Sequence, residues 1–234
     1  MIKKVAKIIF LILIFQFTSI LPSYAENTYI DSINTTAIIL PNGDMNVTQI
    51  WNTVSNDGSE WFIPVNNLNH MEIENFMVYE LDSGNIYPYE FSPTWDSSAS
   101  IETKSNKYSD YYNPQTGMRE LCFGKGKLGP KTFMLTWTYK NAVVKYTDNI
   151  IGFHINFINK AMNVPIYSAE LKIYVSDGKK GYKSLNNSNV QMWSFGYEGR
   201  INISKGYSIF TETYKALDQK NGFMSVLALS LIHI

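Results

Sequence analysis

The 234-residue sequence has a single cysteine, Cys122, and only three histidines. One cysteine excludes an intrachain disulfide, so a stable domain must depend on its hydrophobic core. Cys122 lies in the apolar stretch Leu121-Cys122-Phe123, which favours a buried small hydrophobe over a reactive thiol. His70 and His154, the two histidines before the C-terminal tail, lack metal-ligand spacing. The sequence therefore predicts no metal site.

An excess of positive charge is also missing, since 20 Lys and Arg residues balance 20 Asp and Glu residues. Nucleic-acid binding needs a concentrated basic face, so it is not predicted. The segment Gly124-Lys125-Gly126-Lys127 lacks P-loop spacing and predicts a hairpin turn. No Gly-x-Ser-x-Gly motif is present, and Asp110 and Glu120 are not favoured as a catalytic carboxylate pair. We therefore expect neither catalytic residues nor a cofactor.

Long hydrophobic runs are absent as well. The apolar run at residues 8–20 is interrupted by Gln16, Thr18 and Ser19, and it is shorter than the roughly 20 residues of a membrane-spanning helix. Three lysines precede the run, and Ser23-Tyr24-Ala25 supplies the small residues that a signal peptidase recognises. We interpret residues 1–25 as a secretory signal peptide. The alternative is an anchor that stays uncleaved.

The remaining chain alternates apolar and polar residues with the two-residue period of β-strands. An Asn-Gly turn at Asn42-Gly43 separates residues 28–40 from residues 45–51 and predicts a β-hairpin. Residues 72–81 and 131–140 also alternate, and none of the segments keeps a helical apolar stripe. Some twelve short strands with turns between them predict an antiparallel β-sandwich over residues 26–228.

Residues 92–116 form a polar, aromatic segment that departs from this pattern, with a short strand expected near Ile101. Its aromatic residues Trp95, Tyr108, Tyr111 and Tyr112 are the candidate ligand-binding residues, because exposed aromatic rings suit stacking on sugars or contacts with a protein partner. The alternative is that they fold back as a lid over the edge of the sandwich, and we favour it.

The C-terminal residues 229–234 read Leu-Ser-Leu-Ile-His-Ile. The transposon end CTGTCTCTTATACACATC, used in preparing sequencing libraries, encodes these six residues in frame. We interpret them as an adaptor-derived tail, against the alternative of a natural apolar ending. The natural protein is then expected to continue after Ala228.

Several stretches recur in order in a known family. They are the opening strand with its Asn-Gly-Asp turn and the continuation Met45–Gln49, Trp61–Pro64, Phe76–Tyr79, Thr132–Lys140 followed by Ala142–Val144, Asn163–Ile166 and Ala169–Val175. Together they resemble the extracytoplasmic N-terminal domain of a bacterial family of predicted membrane proteins, catalogued as domain of unknown function 2207. The resemblance implies a signal peptide, an outer β domain and one or more membrane helices after it. It implies no catalytic residues.

These features predict a non-enzymatic binding or interaction module of a membrane-anchored bacterial envelope protein. Its partner would be an envelope protein or a glycan, with the C-terminal anchor missing from this fragment. Without an anchor the protein would be secreted. The alternative is a carbohydrate-binding or carbohydrate-active β-sandwich that uses the segment Tyr108–Tyr112. Neither the ligand nor the oligomeric state follows from the sequence.

Overall fold

The structure is a computed structural model that describes residues 28–65, 68, 70–147, 150–162, 164–217 and 222–230. The predicted signal peptide and residues 231–234 of the predicted tail lie outside the described residues. Strands dominate the described ranges, and the prediction of a mostly β fold is confirmed. No helix in these ranges is long and apolar enough to cross a bilayer.

Eight strands form the large sheet, in the order β14-β15-β12-β1-β2-β9-β4-β5. Their bounds are β1 Tyr29–Ile39, β2 Met45–Ser55, β4 Glu72–Asp82, β5 Asn85–Pro88, β9 Gly129–Lys140, β12 Ile166–Val175, β14 Gly199–Ser204 and β15 Ser208–Thr213. The β1-β2 hairpin is the one that the Asn42-Gly43 turn predicts, and β4 and β5 form a second hairpin. β1 pairs with β12 in parallel, so the large sheet is mixed and not purely antiparallel.

Two sheets of four strands complete the fold. The second sheet has the order β10-β11-β16-β13, with β10 Val144–Thr147, β11 Ile150–Ile158, β13 Val190–Phe195 and β16 Met224–Ser230. The third sheet has the order β3-β8-β7-β6, with β3 Glu60–Val65, β6 Glu90–Phe91, β7 Lys107–Asn113 and β8 Met118–Gly124. A four-residue helix, α1 (Ile101–Lys104), and a 3-10 turn at Lys160–Met162 lie between strands.

Both small sheets cover the same face of the large sheet. Strand alternation places Phe133, Leu135, Trp137 and Tyr139 of β9 on one face, and all four are buried, as their spacing predicts. Phe123 of the third sheet packs edge-on against Phe133, with ring centroids 5.1 Å apart. Further along β9, Trp137 and Tyr139 share a cavity lining with residues of β11 in the second sheet. The core thus lies in one layer under two neighbouring sheets.

Two local predictions differ from the structure. The segment near Ile101 is the helical turn α1 and not a strand, because Ser100 caps it by accepting a hydrogen bond from Thr103 N. The Gly124–Lys127 segment is not a hairpin turn, since it joins β8 of the third sheet to β9 of the large sheet. The last strand, β16, includes Leu229 and Ser230, and the adaptor origin of residues 229–234 stays a prediction.

Asp44 fastens the β1-β2 turn to the end of β9. Its buried carboxylate accepts hydrogen bonds from Lys140 Nζ, from Asn141 N at 3.0 Å and from Asn42 Nδ2 at 2.8 Å. The bond from Lys140 is the main cause that lowers the pKa of Asp44, and the other two act in the same direction against desolvation. The ionised carboxylate therefore stabilises the folded state.

We predict that Asp44→Asn lowers the free energy of unfolding at neutral pH by about 1–3 kcal/mol, because hydrogen bonds to a charged group are lost. A lowered folded pKa stabilises the protein above the unfolded pKa, near 3.8, and this contribution disappears as the pH falls through the folded pKa. Urea unfolding of both proteins between acid and neutral pH measures it. The two curves should converge in acid, and curves that stay parallel would contradict the assignment.

Candidate binding cleft

A cavity of about 290 Å³ lies where the two small sheets meet over the large sheet. We call it the seam cleft. One wall is the end of β3 with the chain that leads into β4, the opposite wall is β11, and Leu121, Trp137 and Tyr139 lie between them. The volume is near the lower limit of pockets that bind small molecules, about 300 Å³.

The β3 wall is apolar. Ile63, Pro64 and Val65 line the cleft from β3, Met71 lines it from the connection before β4, and Ile73 lines it from β4. β3 is the terminal strand of its sheet, paired with β8 on one side. Because Pro64 has no backbone N–H, it suits a strand edge, where no neighbouring strand needs that donor.

The β11 wall is a strand edge that its neighbour covers in part. β10 pairs with residues 150–152 of β11, whereas β16 pairs with it from Ile151 to Ile158. In the described residues, the part of β11 from Phe153 onward has β16 as its ladder partner, and residues 154–157 of β11 line the cleft together with Ser225 of β16. This wall can offer backbone groups as well as side chains.

Side chains close one end of the cleft. Asn159 Nδ2 donates to Pro64 O at 3.2 Å and so links the end of β11 to β3. Gln49 Nε2 donates to Phe157 O at 3.0 Å, and Trp51 Nε1 donates to Gln49 Oε1 at 2.8 Å. These buried bonds hold β11 against both other sheets where the three come together.

The residues between the walls are apolar or aromatic. Leu121 is fully buried, and the rings of Trp137 and Tyr139 meet edge to face at 6.0 Å. Burial raises the pKa of Tyr139 to about 12, so its phenol stays neutral at ordinary pH. Of the described residues that line the cleft, none is Asp, Glu, Lys or Arg, and the polar ones are His154, Asn156, Asn159 and Ser225. The ring of His154 lies 5.9 Å from that of Phe195, so His154 lines the cleft with its backbone. The cleft is suited to an uncharged, largely apolar group.

The four aromatic residues predicted to bind a ligand lie elsewhere, in and around the third sheet. Tyr108 is half-buried between Phe76 and Phe91, whose ring centroids are 5.5 and 5.6 Å away. Tyr112 is 65% exposed, and the alternation of β7 directs the half-buried Tyr111 to the face opposite Tyr108 and Tyr112. The structure does not bring the four side chains to one surface, and their role in binding stays a prediction.

Trp95 belongs to a buried polar network under α1. Its Nε1 donates to Glu60 Oε2 at 2.6 Å, and the same carboxylate pairs with Lys104 Nζ at 2.7 Å. Lys104 is 2% exposed and also donates to Ser59 Oγ and Ser97 O. With each donor satisfied, the buried cation is compensated and holds the segment over the third sheet.

Gly124 allows this segment to come close. A Cβ at Gly124 would lie 2.0 Å from the carbonyl oxygen of Lys104, so any side chain there would push α1 away from β8. The next residue, Lys125, is buried with its Nζ 4.3 Å from the Trp61 ring centroid, and it donates to Asp57 O at 2.6 Å. Burial lowers the pKa of Lys125. Lys125 therefore has a structural role, and its ammonium group is not placed to bind a phosphate.

Asp110 and Glu120, weighed as catalytic carboxylates, are both occupied by other side chains. Asp110 pairs with Arg119, which also donates to Ile73 O at 3.0 Å. The buried Glu120 accepts from Asn113 Nδ2 at 3.1 Å and from Thr116 Oγ1 at 3.2 Å. Each carboxylate is used in holding the third sheet together.

The single cysteine lies in the interior of the third sheet. The Cys122 side chain is fully buried, and burial raises the pKa of its thiol, as expected of an inert cysteine. Across the described residues, His, Cys, Asp and Glu side chains form no group of three or more that could hold a metal ion.

The cleft residues were not singled out by the sequence. They come from six separate strands and two connections, and each reads locally as an ordinary core or strand residue. His154 lies at an exposed strand position, with its ring 5.9 Å from that of Phe195. The signal that could have pointed here is Pro64 inside a strand, which marks a sheet edge.

Known proteins resemble this chain only distantly. No family model matches the chain, and no curated protein matches it. Among solved structures, yeast LTA4 hydrolase in complex with bestatin is 8% identical with a TM-score of 0.46, and a variant of the M1 zinc metallopeptidase from Deinococcus radiodurans is 5% identical with a TM-score of 0.42. The matches cover 89% and 88% of this chain but 31% and 42% of those proteins. At this distance no activity carries over, and the family resemblance stays a prediction.

We predict that Glu60→Gln destabilises the protein by about 3–5 kcal/mol, because it leaves the charge of Lys104 buried without its partner. The double variant Glu60→Gln/Lys104→Met should recover part of the loss, since it removes the stranded charge. Urea unfolding monitored by circular dichroism measures both. Equal stability of the single and double variants would show that the pair is not coupled.

Proposed function

We propose that this chain is a non-enzymatic binding module of a bacterial envelope protein, held outside the cytoplasm, and that the seam cleft receives an apolar group of its partner. The observation that carries the proposal is a cavity of about 290 Å³ whose described lining holds many apolar side chains and no Asp, Glu, Lys or Arg. Pockets of this kind bind by shape and burial, with a few polar groups that fix orientation.

The chemistry of the lining favours binding over catalysis. A hydrolase needs a nucleophile, an acid-base pair or a metal within reach of its substrate. The described lining offers one titratable group of that kind, His154, and the carboxylates of the third sheet are engaged in ion pairs and hydrogen bonds. Burying one large apolar side chain in the cleft would instead contribute about 1.5–3 kcal/mol to binding.

The cleft can be tested with indole, an uncharged aromatic probe. We expect indole at about ten times its Kd to raise the thermal unfolding midpoint by about 2–4 °C, because the probe stabilises the folded state that binds it. Val65→Trp should abolish this rise, since Val65 lines the cleft and the larger side chain fills it.

Val144→Trp is the matched control. It makes the same substitution on β10, at a half-buried position that does not line the cleft. This variant should keep the response to indole. Equal responses of wild type, Val65→Trp and Val144→Trp would place the probe elsewhere and contradict the proposal.

The location outside the cytoplasm rests on the N-terminal sequence. The cluster Lys3, Lys4 and Lys7, the short apolar run after it and the Ser23-Tyr24-Ala25 site together support export. The resemblance to bacterial membrane proteins supports an anchor in the full-length protein, and a freely secreted form is the alternative.

Fusion of residues 1–40 to alkaline phosphatase tests the export, because this enzyme forms its disulfides and becomes active only outside the bacterial cytoplasm. We expect an active fusion and a processed N-terminus at Glu26. A fusion in which Lys3, Lys4 and Lys7 are replaced by Glu serves as the control and should lose activity. An inactive fusion with the natural sequence would exclude export.

The carbohydrate alternative has less support in the arrangement of its residues. It would depend on Tyr111 and Tyr112, because the indole of Trp95 is hydrogen-bonded to Glu60 and Tyr108 is packed against two phenylalanines. Two tyrosines on opposite faces of β7 offer one ring to a sugar at a time. We therefore place the binding site in the seam cleft.

A further inference from the structure

We propose that the occupant of the seam cleft is an extended, uncharged peptide segment of a partner protein, which adds as a strand to the edge of β11 after Gly152, where no strand of the described residues pairs with it. This inference rests on the proposed function of the cleft and goes beyond it by naming the ligand class and its mode of binding. Addition of a strand to an open sheet edge is a recurrent form of peptide recognition.

The direction of the backbone groups supports strand addition. Ser225 Oγ of β16 donates to Ile155 O at 3.2 Å, so this carbonyl faces β16. Successive residues of a strand turn their amides and carbonyls to opposite sides. The backbone groups of His154 and Asn156 therefore face the other side, where β11 lines the cleft. Two residues spaced two positions apart, each with its N–H and C=O on the same side, can form the backbone hydrogen bonds of one added strand.

The opposite wall cannot serve in the same way. Pro64 lacks an N–H, and its carbonyl already accepts from Asn159 Nδ2. Proline on an edge strand prevents the pairing of further strands. An incoming segment therefore forms its hydrogen bonds with β11 and packs its side chains against β3.

The size of the site limits the segment. The Asn159–Pro64 link closes one end, and β10 covers β11 up to Gly152 at the other. Six residues of β11, 153–158, lie between these limits, which corresponds to roughly 20 Å of strand. A segment of about four to six residues fits, with every second side chain directed into the apolar cavity.

The absence of charged residues from the described lining limits which side chains of the peptide can enter the cleft. Because the described lining holds no Asp, Glu, Lys or Arg, a charged side chain entering the cavity would lose its hydration without gaining a partner. The side chains that enter must therefore be apolar, whereas those on the other face of the segment can be polar. A peptide with alternating apolar and Ser or Thr residues meets both conditions.

The test uses fluorescein-labelled heptapeptides with Val, Leu, Ile, Phe or Tyr at positions 2, 4 and 6 and with Ser or Thr elsewhere. Their binding to the purified full chain is followed by fluorescence anisotropy. The peptides that bind are then N-methylated at either the even or the odd positions. We expect one set to lose at least tenfold in affinity and the other less than threefold, because alternate amides of an added strand face β11.

Two variants of His154 test whether the peptide pairs with the edge of β11. His154→Pro removes the amide that faces the cleft, and it should weaken binding at least tenfold. His154→Ala keeps that amide and should change the affinity less than threefold. Hydrogen exchange of the amides of His154 and Asn156 in the wild type should slow when peptide binds. Circular dichroism of both variants confirms that they are folded.

The outcomes separate the two proposals. If no peptide binds but indole still binds the wild type and not Val65→Trp, strand addition is wrong and the proposed function stands. If indole also fails, the cleft is not a binding site and both are wrong. Equal binding of peptide to His154→Pro and His154→Ala would overturn the assignment to β11. A wild-type dimer in sedimentation that His154→Pro dissociates would make a second copy the occupant and overturn the partner peptide.

Discussion

The structure depends on the need to cover one apolar face of an eight-stranded sheet. With strands about 4.8 Å apart, eight strands span roughly 34 Å, and the buried side chains of β2 and β9 lie in the middle of that width. A sheet of four strands covers about half of it. Two small sheets are therefore required, and a seam between them follows from the geometry.

The seam leaves strand edges that a sheet closed on itself would not have. Both β3 and the later part of β11 present strand edges toward it, and unpaired edge groups attract further strands. The chain closes one end with the side chains of Asn159 and Gln49, which bond to carbonyls of β3 and β11. At β3 the edge is protected by Pro64. The remaining edge of β11 faces a cavity, which is why this place differs from the rest of the molecule.

The sequence predicted the parts of the fold that local alternation controls. The Asn42-Gly43 hairpin and the buried face of β9 follow from turn chemistry and from the two-residue period, and both are present. Alternation states which residues share a face, but not which sheet a strand joins. The parallel pairing of β1 with β12 and the crossing from β8 to β9 depend on contacts between distant segments, so neither could be read from the residues.

The candidate site could not be predicted from local sequence patterns, because it too depends on contacts between distant segments. Its walls lie about ninety residues apart, at Pro64 and His154, and neither wall carries a motif. Trp95 also depends on a distant residue, because the polar segment around it leaves open whether its ring is exposed or folds back. Its partner Glu60 lies 35 residues earlier in the chain, and burial of the indole depends on that pairing. Polar sequence context predicts a surface only when no distant group satisfies the polar atoms.

The distribution of charge links these two regions. Of the buried charged residues in the described ranges, Asp44 lies at the β1-β2 turn, where Lys140 and Asn141 N bond to it. The other three, Lys104, Lys125 and Glu120, belong to the third sheet or to the segments packed on it, where each is compensated by a side chain or a backbone oxygen. Because they are neutralised there, they direct no unpaired charge into the seam cleft. Recognition in the cleft must then come from shape and backbone hydrogen bonds, and screening by salt, which weakens interactions between exposed charges, has little to act on. A partner that binds through this cleft would be selected by its apolar pattern and its extended backbone and not by its net charge.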